Sequence, residues 1–350
     1  MKIVIDRNIP FIREPLEGLG ETVYLKGDAI TPDVMHDADI LLTRTRTRCD
    51  AKLLDGSKCS FIGTATIGTD HIDLEYCRKR GITVRNAPGC NAPAVGQYVL
   101  SAVKTILRDS ESFADKTIGI IGVGHVGTIV ARWAESLGMK VLLNDPPRFG
   151  SGAPGVSLDR IAEECDVITI HTPLTRTGEH PTYHLLGEEF LSRLKRRPLL
   201  INSARGGVMD TVAVKKALAS GLVSAVAIDC WENEPDIDTD LLAAATVATP
   251  HIAGYSYEGK VRATAMTLDS LTEYLRPQGI APAKLAIPLN PVPEAITEDM
   301  LGYDILADTA RLKAAGTTTL NTPGNTPAPD LASTFESLRN NYDLRHEPGQ

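Results

Sequence analysis

The sequence predicts an α/β protein built from two doubly wound parallel sheets, of Rossmann or flavodoxin-like type, followed by a smaller C-terminal region. Three observations carry this. At 350 residues the chain exceeds one ordinary hydrophobic core. Short apolar runs alternate with helical periodicity in two successive series. A turn-rich break, Pro88-Gly-Cys-Asn-Ala-Pro93, separates the series, and dense proline from Pro277 onward closes the second.

In the first series, Ile3–Ile5, Thr22–Leu25, Ile40–Thr43, Phe61–Gly63 and Thr83–Asn86 read as strands with helices between them. Val95 to Leu107 is apolar at helical spacing. The second series has strands at Lys116–Ile121, Lys140–Leu143, Val167–Ile170, Leu199–Asn202 and Val223–Ile228. Helices are expected at Val126–Leu137, Leu158–Glu164 and Thr211–Ser220, then a long one at Glu258–Leu275. Beyond the prolines, short helical patterns at Asp304–Lys313 and Leu331–Tyr342 flank Ala314–Pro329, whose Ala, Gly, Thr, Asn and Pro suggest a flexible connection.

Composition narrows the function classes. A formal net charge of -8 with scattered acidic residues excludes the basic stripe of a general nucleic-acid binder. No apolar run reaches bilayer length, so no membrane span is expected. Six cysteines show neither a CxxC pair nor metal-ligand spacing, which implies reduced structural thiols, no metal site and a cytoplasmic protein. The chain opens directly on a strand, Met1-Lys-Ile-Val-Ile-Asp6, leaving no room for a targeting segment.

The most specific signal is Gly122-Val-Gly124-His125-Val126-Gly127, which leaves one strand and opens a helix. Glycine at these points permits a tight turn, close approach of a pyrophosphate and close helix–strand packing, while the helix start supplies amide donors. A lone glycine pattern is weak, but Asp145 ends the next strand, where a carboxylate would accept from the adenosine ribose and repel a 2′-phosphate. NAD is therefore expected over NADP, with Arg148 read as a solvated neighbour. Thr172 and Asp229 follow later strands, the edge where ligands of open α/β sheets sit, although either alone would more often be a helix cap.

Three further segments leave strand ends: Asn202-Ser-Ala-Arg205-Gly-Gly207, Asp229-Cys-Trp-Glu-Asn-Glu234-Pro235 and Thr249-Pro-His251-Ile-Ala-Gly254. Singly, Arg205 reads as a surface or cap arginine, Glu234 as a solvated loop residue and His251 as a satisfied core histidine. Jointly they suit one task. Arginine binds a carboxylate through two hydrogen bonds, histidine exchanges the proton that accompanies hydride transfer, and a carboxylate orients that histidine.

In these contexts and this order, the segments resemble the D-isomer-specific 2-hydroxyacid dehydrogenases. The resemblance implies that Arg205 binds and polarises substrate, Glu234 supports His251 and His251 is the proton donor and acceptor. It implies a discontinuous substrate-binding domain (1–95 and 256–280), an NAD-binding domain (96–255), an active-site cleft and a C-terminal dimerisation region (281–350). The assembly implied is a homodimer. Gly254 would lie with the cofactor contacts.

Four stretches sharpen the resemblance: Gly63-Thr-Ala-Thr66-Ile-Gly-Thr-Asp-His71, Ala87-Pro-Gly-Cys-Asn-Ala92, Asp145-Pro-Pro-Arg148 and His251-Ile-Ala-Gly-Tyr255-Ser-Tyr-Glu-Gly-Lys260. They are similar to a branch of the family that oxidises a phosphorylated four-carbon 2-hydroxy acid on the route to pyridoxal 5′-phosphate. Carried over, Thr66 and Tyr255 are substrate contacts, and Thr45 stands where the branch has serine. Arg44, Arg46 and Arg48 alternate, so on an extended segment they share one side and could meet a phosphate, or form a solvated basic edge. The alternatives are sister activities on 3-phosphoglycerate or hydroxypyruvate, and a dinucleotide-sensing protein without turnover.

Overall fold

The computed structural model describes residues 1–107, 112–150, 154–318 and 330–350. The chain divides into two units: Met1–Asn91 with Ser256–Asn290, and Ala92–Tyr255 with Pro291–Gln350.

The first unit holds β1 (Lys2–Asp6), β2 (Glu21–Leu25), β3 (Ile40–Thr43), β4 (Phe61–Thr64) and β5 (Thr83–Arg85). All are parallel, in the order β2-β1-β3-β4-β5. That is the flavodoxin-like order, whose direction of winding reverses between β1 and β3. The helix Tyr257–Leu275 returns to this unit from late in the sequence and buries Ala263, Leu268, Leu271 and Leu275 against Ile3, Ile5, Leu42 and Phe61. Its start is capped by the Ser256 hydroxyl, which accepts from the Gly259 amide at 3.0 Å, a contact worth about 1 kcal/mol.

The second unit holds β6 (Thr117–Ile121), β7 (Lys140–Asn144), β8 (Val167–Ile170), β9 (Leu199–Asn202), β10 (Ala225–Ile228) and β11 (Val247–Ala248). These are also parallel, in the order β11-β10-β9-β8-β6-β7. Every residue of β8, β9 and β10 is buried, as expected of strands covered by helices on both faces. Winding reverses between β6 and β8. The loops after those two strands therefore flank the crevice where such sheets take ligands.

Strands β3, β8 and β9 fall at the predicted residues, and the predicted long helices are present. Two expectations change. The residues from 281 onward are not a separate body: those to Asn290 belong with the first unit and those from Pro291 with the second. Trp133 donates its indole N–H to the Pro293 carbonyl at 2.9 Å, and Ile296, Leu301 and Ile305 join the core around β6. The expected connection at Ala314–Pro329 is also altered, because the helix Ile305–Thr318 covers its beginning. Gly316 packs so closely that a Cβ there would lie 2.9 Å from Leu242. The remainder of that stretch, 319–329, lies outside the described residues. No described helix is long and apolar enough to cross a membrane.

Candidate active site

The loop from β6 into the helix His125–Ser136 is built by exclusion. At Gly122, with φ of 90°, a Cβ would lie 2.8 Å from the His171 carbonyl carbon, and at Gly127 it would lie 2.1 Å from the Gly122 oxygen. Neither position can carry a side chain. A Cβ at Gly124 would meet nothing within 4 Å. Open space thus lies over the first helical turn, where His125, Val126 and Gly127 present amides and Gly124 gives no side-chain cap. This fits a diphosphate.

Asp145 follows β7. Its Oδ2 accepts from the Val123 amide at 2.8 Å and its Oδ1 from the Arg148 amide at 3.2 Å. A carboxylate has about four acceptor sites, so capacity remains for ribose hydroxyls. Arg148 is exposed, as expected, and its guanidinium also donates to the Val123 carbonyl. After β8, the Thr172 hydroxyl is buried with no hydrogen-bond partner among the described residues, and so is Ser203 after β9. Buried unpaired hydroxyls at strand ends beside the glycine loop suit a polar ligand. Burial pushes the neighbouring His171 imidazole down to about 3, so that ring stays neutral.

The segments carrying Arg205, Glu234 and His251 leave three adjacent parallel strands: Asn202 pairs with Ile228 in register, and Ile228 with Ala248. His251 Nδ1 and Glu234 Oε1 lie 2.5 Å apart. Burial pushes the Glu234 carboxyl up. The His251 hydrogen bond and charge and the Arg339 charge outweigh it, holding the group below the usual carboxylate range. His251 adopts φ of 57°, a left-handed conformation unusual for a non-glycine residue, with its amide donating to the Asp229 carbonyl at 2.9 Å.

Asp229 is fully buried and supports the same loop. Its Oδ1 accepts from the Thr249 hydroxyl and the Ile252 amide, both at 2.7 Å, and its Oδ2 from the Ala253 amide at 3.0 Å. Burial raises its carboxyl against those donors and the His251 charge. The Cys230 thiol is a fourth donor, on Oδ2 at 4.0 Å, and as the weakest of the four it is the one a ligand amide could displace.

The Arg205 loop is stapled by Asn202, whose side-chain amide donates to the carbonyls of Arg205 (3.0 Å) and Cys230 (3.1 Å). Gly206 is obligatory, because a Cβ there would fall 1.8 Å from the Trp231 oxygen. Gly254 lies in the turn closed by the Tyr255 amide on the Ile252 carbonyl at 2.9 Å. The Tyr255 ring packs edge-on to Tyr342 at 6.1 Å and hydrogen-bonds Arg339.

In the first unit, Arg44, Thr45 and Arg46 follow β3 at the reversal of winding. The extended segment expected there is instead a turn, closed by the Thr47 amide on the Arg44 carbonyl at 3.4 Å. Thr47 is buried, its hydroxyl donating to the Gly27 carbonyl at 3.0 Å, and that anchor bends the chain. The three arginines consequently are not set out along one extended face. Arg44 donates to the Asn8 carbonyl at 2.9 Å, Arg48 pairs with Asp50 at 3.4 Å, and Thr45 and Arg46 are exposed. Thr66 lies in a hydroxyl chain, 2.7 Å from Thr64, which in turn lies 3.2 Å from His71 Nε2.

Asn202, Thr64, His71 and Arg339 were not singled out by sequence reasoning. Asn202 stands inside the Arg205 motif and His71 inside a quoted stretch, so both were within reach. Arg339 carries no local signature.

Residues 98–253 match the NAD binding domain of the D-isomer specific 2-hydroxyacid dehydrogenases. Over its full length the chain is 44% identical to an erythronate-4-phosphate dehydrogenase of Bacteroides fragilis, covering 98% of that protein. It is 40% identical to the Azotobacter vinelandii enzyme of the same name, covering 99% of this chain and 93% of that one. Among solved structures it resembles the D-lactate dehydrogenase of Aquifex aeolicus, complexed with NAD and lactic acid. That match has a TM-score of 0.64 and 26% identity over 80% of this chain and 98% of the other.

Proposed function

The chain belongs to the D-isomer specific 2-hydroxyacid dehydrogenases, in the erythronate-4-phosphate dehydrogenase branch, and from that premise we propose the reaction it performs. It oxidises 4-phospho-D-erythronate to 2-oxo-3-hydroxy-4-phosphobutanoate, using NAD, on the route to pyridoxal 5′-phosphate. One observation carries the reading: a histidine held 2.5 Å from a carboxylate through Nδ1, which leaves Nε2 as its exchangeable position.

NAD, when bound, supplies the acceptor for the hydride that leaves carbon 2. Gly122 and Gly124 would clear the backbone for it, the amides of His125, Val126 and Gly127 would hold its diphosphate, and Asp145 its ribose. Thr172, Asp229 and Gly254 would serve its nicotinamide end. Arg205 fixes the substrate carboxylate and polarises the oxygen on carbon 2. As the C2–H bond breaks, the O–H proton passes to Nε2 of His251, and the oxygen lone pair completes the carbonyl. Glu234 holds the Nδ1 proton and offsets the imidazolium charge. Proton and hydride therefore leave together, one to the protein and one to the cofactor.

Thr45, Thr66 and Tyr255 are assigned to the substrate hydroxyls and Arg44 and Arg46 to its phosphate. The enzyme acts as a cytoplasmic homodimer. Six buried free thiols support the reducing compartment.

A substrate panel followed by NADH formation tests the assignment. Turnover of 4-phosphoerythronate well above 3-phosphoglycerate and other 2-hydroxy acids is expected. Preference for 3-phosphoglycerate or reduction of hydroxypyruvate would overturn the substrate. NAD binding without any turnover would overturn the activity.

A further inference from the structure

The loop after His251 is gripped from two sides. Its amides meet Asp229 through Ile252 and Ala253. Its carbonyls meet a group from the far end of the chain. The guanidinium of Arg345 donates to the carbonyls of Ile252 at 3.1 Å, Tyr255 at 3.0 Å and Ala253, and to the Ala94 carbonyl at 3.1 Å. Its Nε donates to Gln97 Oε1 at 3.0 Å, and Tyr303 lies beneath it, with the ring centroid 4.3 Å from Cζ.

Gln97 is itself buried and donates to the His346 carbonyl at 3.1 Å, so the tail is fixed on both sides of the arginine. Four carbonyls and one amide oxygen, with the Tyr342 hydroxyl more distant at 3.4 Å, engage all five N–H donors of a planar guanidinium; an ammonium has three donors and no plane. A single side chain on 345 thus satisfies peptide groups on either side of Gly254.

The same loop begins with His251 in its left-handed conformation. Such a backbone persists only where its surroundings over-determine it. Asp229 supplies half of that constraint by taking N–H groups. The carbonyls of Ile252, Ala253 and Tyr255 in the same loop need donors, and Arg345 provides them.

We propose that Arg345 is a positioning residue of the reaction, holding the Ile252–Tyr255 loop opposite Asp229 so that His251 and Tyr255 keep one orientation. The C-terminal tail is then a working part of the catalytic unit. This rests on the reading of His251 as the proton-transfer group.

The test uses full-length Arg345→Lys and Gln97→Met, with amide hydrogen exchange and steady-state kinetics on each. In Arg345→Lys the amides of Ile252 and Ala253 should exchange about tenfold faster or more, since charge-assisted bonds to the loop are lost. Turnover, kcat, should fall about tenfold or more through misplacement of the proton-transfer group. Protection in β6 and β8 should be unchanged. Gln97→Met, which removes one partner, should show the same pattern at smaller size.

Unchanged loop exchange and kcat in Arg345→Lys would overturn the proposal. So would a uniform loss of protection across the unit with kcat preserved, which would mark a folding role alone. Should Arg345→Lys not fold, Gln97→Met is judged by the same two criteria. If the wild type turns over no 2-hydroxy acid, the proposed function fails, whereas faster exchange confined to the loop still supports the grip and its absence overturns it.

Discussion

The carboxyl edges of the two sheets are furnished differently. At the edge of the β6–β11 sheet the charged and amide groups of the three segments have fixed partners: Glu234 on His251, Asp229 on four donors, Asn202 on two carbonyls. At the edge of the β1–β5 sheet, Thr45 and Arg46 stand exposed on a turn, and Arg44 has an exposed hydrogen bond to one carbonyl. Proton and hydride transfer tolerate little error in position, so their groups are preorganised. Binding a substrate's distal phosphate needs charge more than geometry, which on the proposed reading exposed arginines on a turn supply. On the proposed reading the contrast separates the groups assigned to the reaction from those assigned to selecting the molecule.

The largest expected effect falls on the preorganised side. His251→Ala should lower kcat by about 10²–10⁴-fold, the usual span for losing a general acid–base group. NADH affinity, measured by fluorescence titration, should stay within about threefold. Loss of NADH affinity with turnover retained would break the division of labour. On the exposed side, Arg44→Gln with Arg46→Gln should raise KM for the phosphorylated substrate about tenfold with kcat nearly constant, the pattern of lost uniform binding. Unphosphorylated erythronate serves as the control. Its kcat/KM should not respond to the pair, and an equal loss there would remove the phosphate assignment.

The same contrast governs what could be read from sequence. Strands of a buried parallel sheet are continuous apolar runs, so β3, β8 and β9 were legible to the residue. Two-residue β11 is shorter than any periodicity window, and only the residues after it marked its place. The glycine loop and the Arg–Glu–His segments were legible because their spacing to strand ends is local. The turn at Thr45–Arg46 was not, since it depends on Thr47 bonding Gly27 twenty residues away. Arg339 and Arg345 were invisible for the same reason: each is a lone arginine with a partner far off in sequence, Tyr255 for Arg339 and Ala94, 251 positions away, for Arg345. Composition misled once. Ala314, Ala315 and Gly316 read as a linker, yet small residues let that helix approach Leu242.

The smallest effect concerns stability and tests whether Glu234 is preorganised at all. Its carboxyl is held below the ordinary glutamate value of 4.5: burial opposes ionisation, and the His251 hydrogen bond and charge overcome it. A carboxyl whose folded-state value is depressed binds its proton more readily in the unfolded chain. It therefore stabilises the fold above about pH 4.5, and that contribution fades as pH falls through the lower folded-state value. Glu234→Gln keeps the shape and removes the titration. The melting temperatures of wild type and variant, compared between about pH 6 and about pH 3, should differ by a few degrees at the upper end and converge toward the lower. A gap constant across that window would mean that the pair adds no charge-dependent stability. In that case the short His251–Glu234 contact would orient the ring as a neutral hydrogen bond, and the rigid edge would owe its order to Asp229 and the groups around it.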